Sequence, residues 1–206
     1  MKLRDRIIET SIELFNLEGA HKISTNHIID ALGISPGTLY YHFRNREEII
    51  REIFEKIITD FNGIYPSGDV LTVQESLKIL ETVYSLFYKY RFFYRDISIL
   101  LSRDPLLRER YIENRIQRFR QQEFLFDMMI RSGIMRRPDS LIEQENLMDN
   151  LWMVTDFWFS YVQSSRDSIT EKDIAGGIEH YFYMLKPYLE PSVVREFEQN
   201  IGQETA

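Results

Sequence analysis

Three helix-boundary signals fall in quick succession near the N-terminus and leave that part of the chain little freedom. Ser24 or Thr25 can cap a short helix, Gly33 ends it, and Ser35-Pro36 opens the next with the hydroxyl as cap and proline in the first turn. Two short helices must therefore flank a turn of about three residues, the pattern of a helix-turn-helix. Within Ile23 to Ile50, the residues Ile28, Leu32, Ile34, Leu39 and Phe43 are spaced to form its inside. With Leu39 and Phe43 inward at i and i+4, Thr38, Tyr41 and His42 lie outward. Gly37 has no side chain and permits close approach. Hydroxyls and an imidazole suit phosphates and base edges, and the second helix of such a unit enters the DNA major groove by its N-terminal end.

The rest of the chain reads as helix throughout. Apolar spacing from Leu3 to Phe15 predicts a first helix stopped by Gly19, and Ile49 to Phe61 predicts a fourth ending before Asn62-Gly63 and Pro66-Ser67-Gly68-Asp69. Thr72 with Glu75 is a capping-box signature for a fifth, and a short sixth comes after the aromatic cluster near Tyr90. Asp104-Pro105 opens the longest helix, which nothing stops before Gly133. Further helices are predicted from Ser140 to near Ser164, from Thr170 and Asp173 to near Pro187, and after Pro191. Only 9 Gly and 6 Pro occur in 206 residues, about 7% where an average chain has near 12%. With no stretch of period two, the expected fold class is all-α: a helix-turn-helix domain over residues 1–56, then a helical domain over residues 57–206 for ligand binding and dimerisation.

Several function classes are excluded at this level. The chain has no cysteine, so disulfides, thiolate zinc and a cysteine nucleophile are out, and a reducing compartment such as the cytoplasm is expected. Met1 to Arg6 is charged and leads into an amphipathic stretch broken by Glu9 and Glu13, unlike a signal peptide; Leu147 to Val162 carries Asp149, Asn150 and Asp156, unlike a membrane span. His21, His27 and His42 match no metal-ligand spacing, and neither a phosphate-binding glycine loop nor a G-x-S-x-G elbow is present. No metal, no cofactor and no enzymatic activity are expected. Net charge is −7, and residues 1–56 hold eight Lys or Arg against nine Asp or Glu. A DNA contact here therefore neutralises few phosphates and has a modest salt dependence.

The segment G-I-S-P-G-T-L-Y-Y-H-F, with Phe15 and Gly19 before it, Thr25 and Ile28 on the preceding helix, and Arg46-Glu47-Glu48 after it, resembles the N-terminal DNA-binding region of the TetR family of bacterial transcriptional regulators. The resemblance covers about the first quarter of the chain. It implies that Thr25, Tyr40, Tyr41, His42 and Arg46 meet phosphates and that Asn26, Pro36, Gly37 and Thr38 face bases; Ser35 joins this DNA-binding set. Two positions depart from the family pattern: Ile29 stands where a small alanine is usual, and Arg46 where lysine is usual. Further on, Y-R-F-F-Y-R-D and D-P-L-L-R-E-R-Y look like a subgroup described as bacterial transcriptional repressors.

Residues 57–206 carry 23 of the 28 aromatic residues. An apolar pocket between helices is the functional expectation for such a body. The resemblance implies an inducer site there, expected among Phe61, Tyr84, Tyr88, Phe92, Phe124 and Trp152, with Asp156 as its polar group. Asp149 and Asp156 are seven apart and share a helix face, so burying both demands partners; a solvated or dimer-rim face is favoured over ligand contact, with Asp156 the candidate if either contacts a ligand. Trp158, Phe159 and Val162, with Ile178, Tyr181, Phe182 and Leu185, make two late helices apolar on more than one side, and Gly176-Gly177 suits close helix approach. The resemblance implies a homodimer through those helices. The expected function is a repressor released from a palindromic double-stranded DNA operator by a small apolar or aromatic molecule. The alternative is a helix-turn-helix protein controlled by a protein partner.

Overall fold

The computed structural model describes residues 2–66, 68–166 and 168–204. Ser67, part of the expected break after the fourth helix, lies outside the described residues. Among the described residues the chain forms α-helices, one 3-10 turn and a single isolated bridge between Met135 and Leu189, with no strand. None of the described helices is long and apolar enough to cross a membrane.

The head is built from α1 (Leu3–Glu18), α2 (Thr25–Leu32), α3 (Pro36–His42) and the first half of α4 (Arg46–Asn62). Each boundary arises from local chemistry. Gly19 and Gly33 take positive φ, 94° and 63°, as α1 and α2 end. Ser35 Oγ accepts from Thr38 N at 3.2 Å and starts α3, and Asn45 Oδ1 accepts from Glu48 N at 2.8 Å and starts α4. Ile7, Ile12, Phe15, Ile28, Leu39, Phe43, Ile49 and Ile53 are buried together inside. Ile29 is also buried in that core.

The body comprises α5 (Val73–Lys89), α6 (Arg91–Arg95), α7 (Ile97–Arg103), α8 (Pro105–Arg131), α9 (Leu141–Gln163), α10 (Lys172–Leu185), a 3-10 turn at Lys186–Tyr188 and α11 (Pro191–Glu204). Thr72 and Glu75 form the reciprocal cap of α5, and Asp104 Oδ1 accepts from Leu106 and Leu107 to cap α8. Where one short helix was expected after Tyr90, the chain forms two, α6 and α7. Asp96 joins them with its carboxylate gripped by the Arg95 guanidinium at 3.0 and 3.1 Å.

Head and body share one hydrophobic core. Helix α4 runs through both, with Ile49, Ile50 and Ile53 in the head and Ile57, Ile58 and Phe61 in the body. A second junction ties α1 to the body. Asn16, near the end of α1, donates to Lys89 O at 2.8 Å and accepts from Phe92 N at 3.0 Å, while Arg95 donates to Phe15 O at 3.2 Å. The Phe15 and Phe92 rings meet beside these bonds at 5.1 Å. Two ion pairs add to the α4 side: Arg51 with Asp104 at 2.6 Å and Arg110 with Glu55 at 2.6 Å.

The expectation that Trp158 and Ile178 await a partner chain is corrected: both are buried in their own chain. Trp158 Nε1 donates to Asp173 O at 2.7 Å and its ring lies on His180 and Gly176, so α9 and α10 satisfy those apolar positions against each other. The outward apolar stripe is instead Met153, Phe157 and Tyr161 on α9, with Tyr183 on α10. The two glycines of α10 both face close packing: a Cβ on Gly176 would stand 3.0 Å from Trp158 Cζ2, and Gly177 is tighter still. A Cβ there would collide with Tyr84 Cε1 and stand 2.8 Å from Tyr84 Cδ1 and 3.1 Å from Trp158 Cδ1. Alanine normally stabilises a helix interior by about 1 kcal/mol over glycine, but Tyr84 is fully enclosed and cannot swing away. Overpacking of about 1 to 3 kcal/mol outweighs the gain. Gly177→Ala is expected to lower the melting temperature, and an increase would show that the α5–α10 contact yields easily.

Candidate nucleic-acid interface and ligand cavity

Leu39 and Phe43 anchor α3 into the head, with 0% and 1% exposure, and the anchoring turns the opposite side of α3 outward. Asn26, Ser35, Pro36, Gly37, Tyr40 and Tyr41 are exposed, and Thr25, Thr38 and His42 partly so. Tyr41 is 85% exposed, a large aromatic side chain that does no packing work in the head beyond an edge contact with His42 at 5.1 Å. Tyr40 OH lies 3.2 Å from Thr25 Oγ1, joining the start of α2 to the middle of α3, so these two hydroxyls present as a unit. Thr38 Oγ1 is 2.8 Å from Ser35 Oγ. A Cβ on Gly37 would meet nothing nearer than Ser35 Oγ at 3.9 Å, so the interior makes no demand for glycine there. These residues make one hydroxyl-rich face of a helix that stands proud of the head.

Arg46 does not belong to that face. Its Nη1 donates to Ala20 O at 3.0 Å and Ile23 O at 3.4 Å, and its Nη2 pairs with Glu47 at 3.0 Å. The guanidinium is engaged in bracing the α1–α2 loop. His27 also has a local task, accepting from Ser24 N at 3.1 Å at the start of α2. Among the described residues no three His, Asp or Glu side chains gather to hold a metal.

Behind the head, a cavity of about 140 Å³ opens between α4, α5, α8, α9 and α10. Phe54, Ile57 and Phe61 of α4 form the wall nearest the head. One face of α8 contributes Tyr111, Asn114, Arg118, Gln122, Phe126 and Met129, spaced three or four apart as one helical stripe. Trp152, Thr155 and Asp156 come from α9, and Tyr65, Tyr94 and Tyr181 add hydroxyls.

Of the residues expected around a ligand, Phe61, Trp152 and Asp156 line this cavity, and four lie elsewhere. Phe124 is 44% exposed; its neighbour two positions on, Phe126, takes the inward place because α8 presents the Tyr111–Arg118 face. Phe92 is enclosed against Phe15 and Phe93 at the head–body junction. Tyr88 lies under the Arg91 guanidinium at 4.4 Å, and Tyr84 fills the gap beside Gly177. The sequence reasoning missed Arg118, Asn114 and Tyr111. Their helical spacing along α8 is the one signal that could have grouped them.

The two aspartates of α9 both face α8, as their seven-residue spacing requires, but at different depths, so a solvated rim position holds for Asp149 and not for Asp156. Asp149 pairs at the rim with Arg115 at 3.4 Å. Asp156 is 4% exposed and accepts a short hydrogen bond from Tyr111 OH. Burial pushes the Asp156 carboxyl up to about 7, against the opposing pull of the Tyr111 bond and the Arg115 charge. Burial likewise raises the Tyr94, Tyr111 and Tyr181 hydroxyls, which stay neutral.

Residues 7–53 match the model of the bacterial regulatory proteins of the tetR family, and residues 64–197 match that of a bacterial transcriptional repressor domain of the same family. Among curated proteins, the probable acrEF/envCD operon repressor of Escherichia coli K12 is 35% identical over 54 residues, spanning 26% of this chain and 24% of that protein. A TetR-family transcriptional regulator from Marinobacter aquaeolei VT8 superposes with a TM-score of 0.88 at 32% identity, covering 98% of each chain. A putative regulator from Saccharomonospora viridis, in complex with choline, shares the fold at 16% identity and a TM-score of 0.69, covering 91% of this chain and 98% of that one. With its family models spanning head and body and a full-length relative of the same architecture, the chain belongs to the TetR family of bacterial transcriptional regulators.

Proposed function

We propose that the protein is a homodimeric repressor that binds a near-palindromic operator through α3 and is released from it by a small molecule held in the cavity. The observation that carries this reading is Phe54. Its ring lines the cavity and stacks on Phe93 at 5.0 Å, while Ile53 beside it is fully buried in the head. A ligand weakens DNA binding only by the difference between its affinities for DNA-competent and incompetent states. A ligand pressing on Phe54 and Phe61 acts on the helix that carries the head. The Asn16 and Arg95 bonds from α1 to the body give the same movement a second handle, so α4 is not the sole connection.

A single short recognition helix covers one half-site, and two-fold protein symmetry calls for two half-sites about one DNA turn, roughly 34 Å, or a multiple apart. The exposed stripe of Met153, Phe157, Tyr161 and Tyr183 supports α9 and α10 as the dimer face. Selection from randomised duplexes tests the DNA reading. Thr38→Ala is expected to alter preference at one base position per half-site, by about 1 to 3 kcal/mol. Tyr41→Ala is expected to weaken all sites alike, and Arg46→Ala to lower head stability more than it changes preference. No enrichment of any duplex by the wild-type protein at moderate salt would overturn the reading.

A further inference from the structure

Arg118 is a buried cation without a counterion among the described residues. Its side chain lines the cavity at 7% exposure, with its guanidinium 5.4 Å from the Phe61 ring centre and 5.9 Å from that of Tyr65. Nη1 donates to Gln121 Oε1 at 2.7 Å and Nη2 to Ile58 O at 2.9 Å, both neutral acceptors. No carboxylate pairs with it among the described residues, although fifteen other ion pairs are formed. An arginine stays protonated in any protein setting, and a buried unpaired charge is strongly unfavourable. One turn earlier on the same face of α8, Asn114 is also 7% exposed, and its Oδ1 is buried with no hydrogen-bond partner. The amide oxygen and nitrogen exchange by a half-turn of the side chain, so this group serves as donor or acceptor.

The acid lining the cavity does not neutralise Arg118. Asp156 is engaged by Tyr111, and the charge it feels is that of Arg115 at the rim. The remaining lining beside Arg118 is aromatic and neutral, with Tyr65 and Tyr94 both raised by burial. The fixed charge of the site is thus one positive guanidinium in an apolar, aromatic enclosure.

Resting on the assignment of this cavity as the effector site, we propose that its ligand is a monocarboxylate with an apolar or aromatic body, the carboxylate held by Arg118 and Asn114. Planar, multi-donor pairing of guanidinium with carboxylate is the chemistry that matches what Arg118 lacks. The Ile58 O bond adds a consequence, because Ile58 lies on α4: an anion drawing the guanidinium toward itself acts directly on the helix that carries the head.

Calorimetry with phenylpropionate, phenylbutyrate and phenylvalerate, each beside its matched alcohol and primary ammonium, tests this on the full chain. The best carboxylate is expected to bind wild type at least about ten-fold tighter than its alcohol, the factor one charged hydrogen bond contributes, and the ammonium more weakly than either. Arg118→Gln is expected to abolish the preference while leaving the alcohol's affinity within about two-fold, and Arg118→Lys to restore part of it. An alcohol or ammonium that matches or exceeds its carboxylate on wild type overturns the proposal and leaves the cavity a ligand site. No binding by any probe overturns both the proposal and the assignment of the cavity. The wild-type ranking decides the matter even where a variant fails to fold.

Discussion

Phe54→Ala is expected to lower stability by about 3 to 5 kcal/mol, the range for removing a buried aromatic ring. Phe54 is 2% exposed, stacked on Phe93 at 5.0 Å and 16°, and packed 6.1 Å from Tyr111. Its neighbours Phe93 and Tyr111 sit on α6 and α8; the Arg51–Asp104 and Arg110–Glu55 pairs tie α8 to α4, and Ser160 Oγ, donating to Tyr94 O and Arg95 O, ties α6 to α9, so these helices resist closing around the void. The lost volume adds to the adjoining cavity, which raises the penalty toward the upper end of that range. Phe124→Ala is the matching control: a phenylalanine of the same size, 44% exposed and off the cavity wall, expected to cost under about 1 kcal/mol. Urea unfolding midpoints of the two variants would measure the contrast. Equal losses would mean that Phe54 is not the keystone between head and body.

Asp156→Asn should produce a stability difference that depends on pH. The carboxyl is raised to about 7 in the folded protein by burial, against about 3.9 in an unfolded chain. Between those values the folded state keeps a proton that the unfolded state has released, so the group's stabilising effect is complete below about pH 4 and is lost as pH rises to about 7. The full gap corresponds to on the order of 4 kcal/mol. Asparagine removes the titration but keeps an oxygen to accept from Tyr111 OH. The variant is therefore expected to be more stable than wild type at pH 8 by a few kcal/mol, with the advantage shrinking or vanishing at pH 5. Other titrating groups cancel in the difference between the two proteins. An advantage that is constant from pH 5 to pH 8 would mean that Asp156 releases its proton as it would in water.

The helix starts were legible because capping is chemistry between near neighbours. Ser35 with Pro36, Thr72 with Glu75, and Asp104 with Pro105 each announce an N-terminus within four residues, and the structure places α3, α5 and α8 there. The head was legible for the same reason, with its inward set fixed by the short spacing of Leu39 and Phe43. The body was less so. The α6–α7 break has neither glycine nor proline and turns on Asp96 folding back to Arg95. Helix α8 carries apolar and charged residues on several faces, so choosing Phe126 over Phe124, or singling out Arg118 among its arginines, needs to know which face α4 and α9 cover. Trp158 looked like an interface residue because its partner, the glycine step of α10, is invisible until the two helices are docked. Arg46 shows the converse: its bonds to two backbone carbonyls depend on how the α1–α2 loop folds back, which no local spacing announces.

Coupling between the cavity and the recognition helices is tested most directly by operator affinity measured with and without a saturating cavity ligand. Phenylalkanoates identified by calorimetry would serve as ligands and the enriched duplex as operator, at one salt concentration throughout. Weakening by about 5- to 150-fold, the range of ordinary allosteric couplings, is the expected result, with ligand affinity reduced by the same factor on the operator-bound protein. An operator affinity unchanged at full occupancy of the cavity would contradict the account.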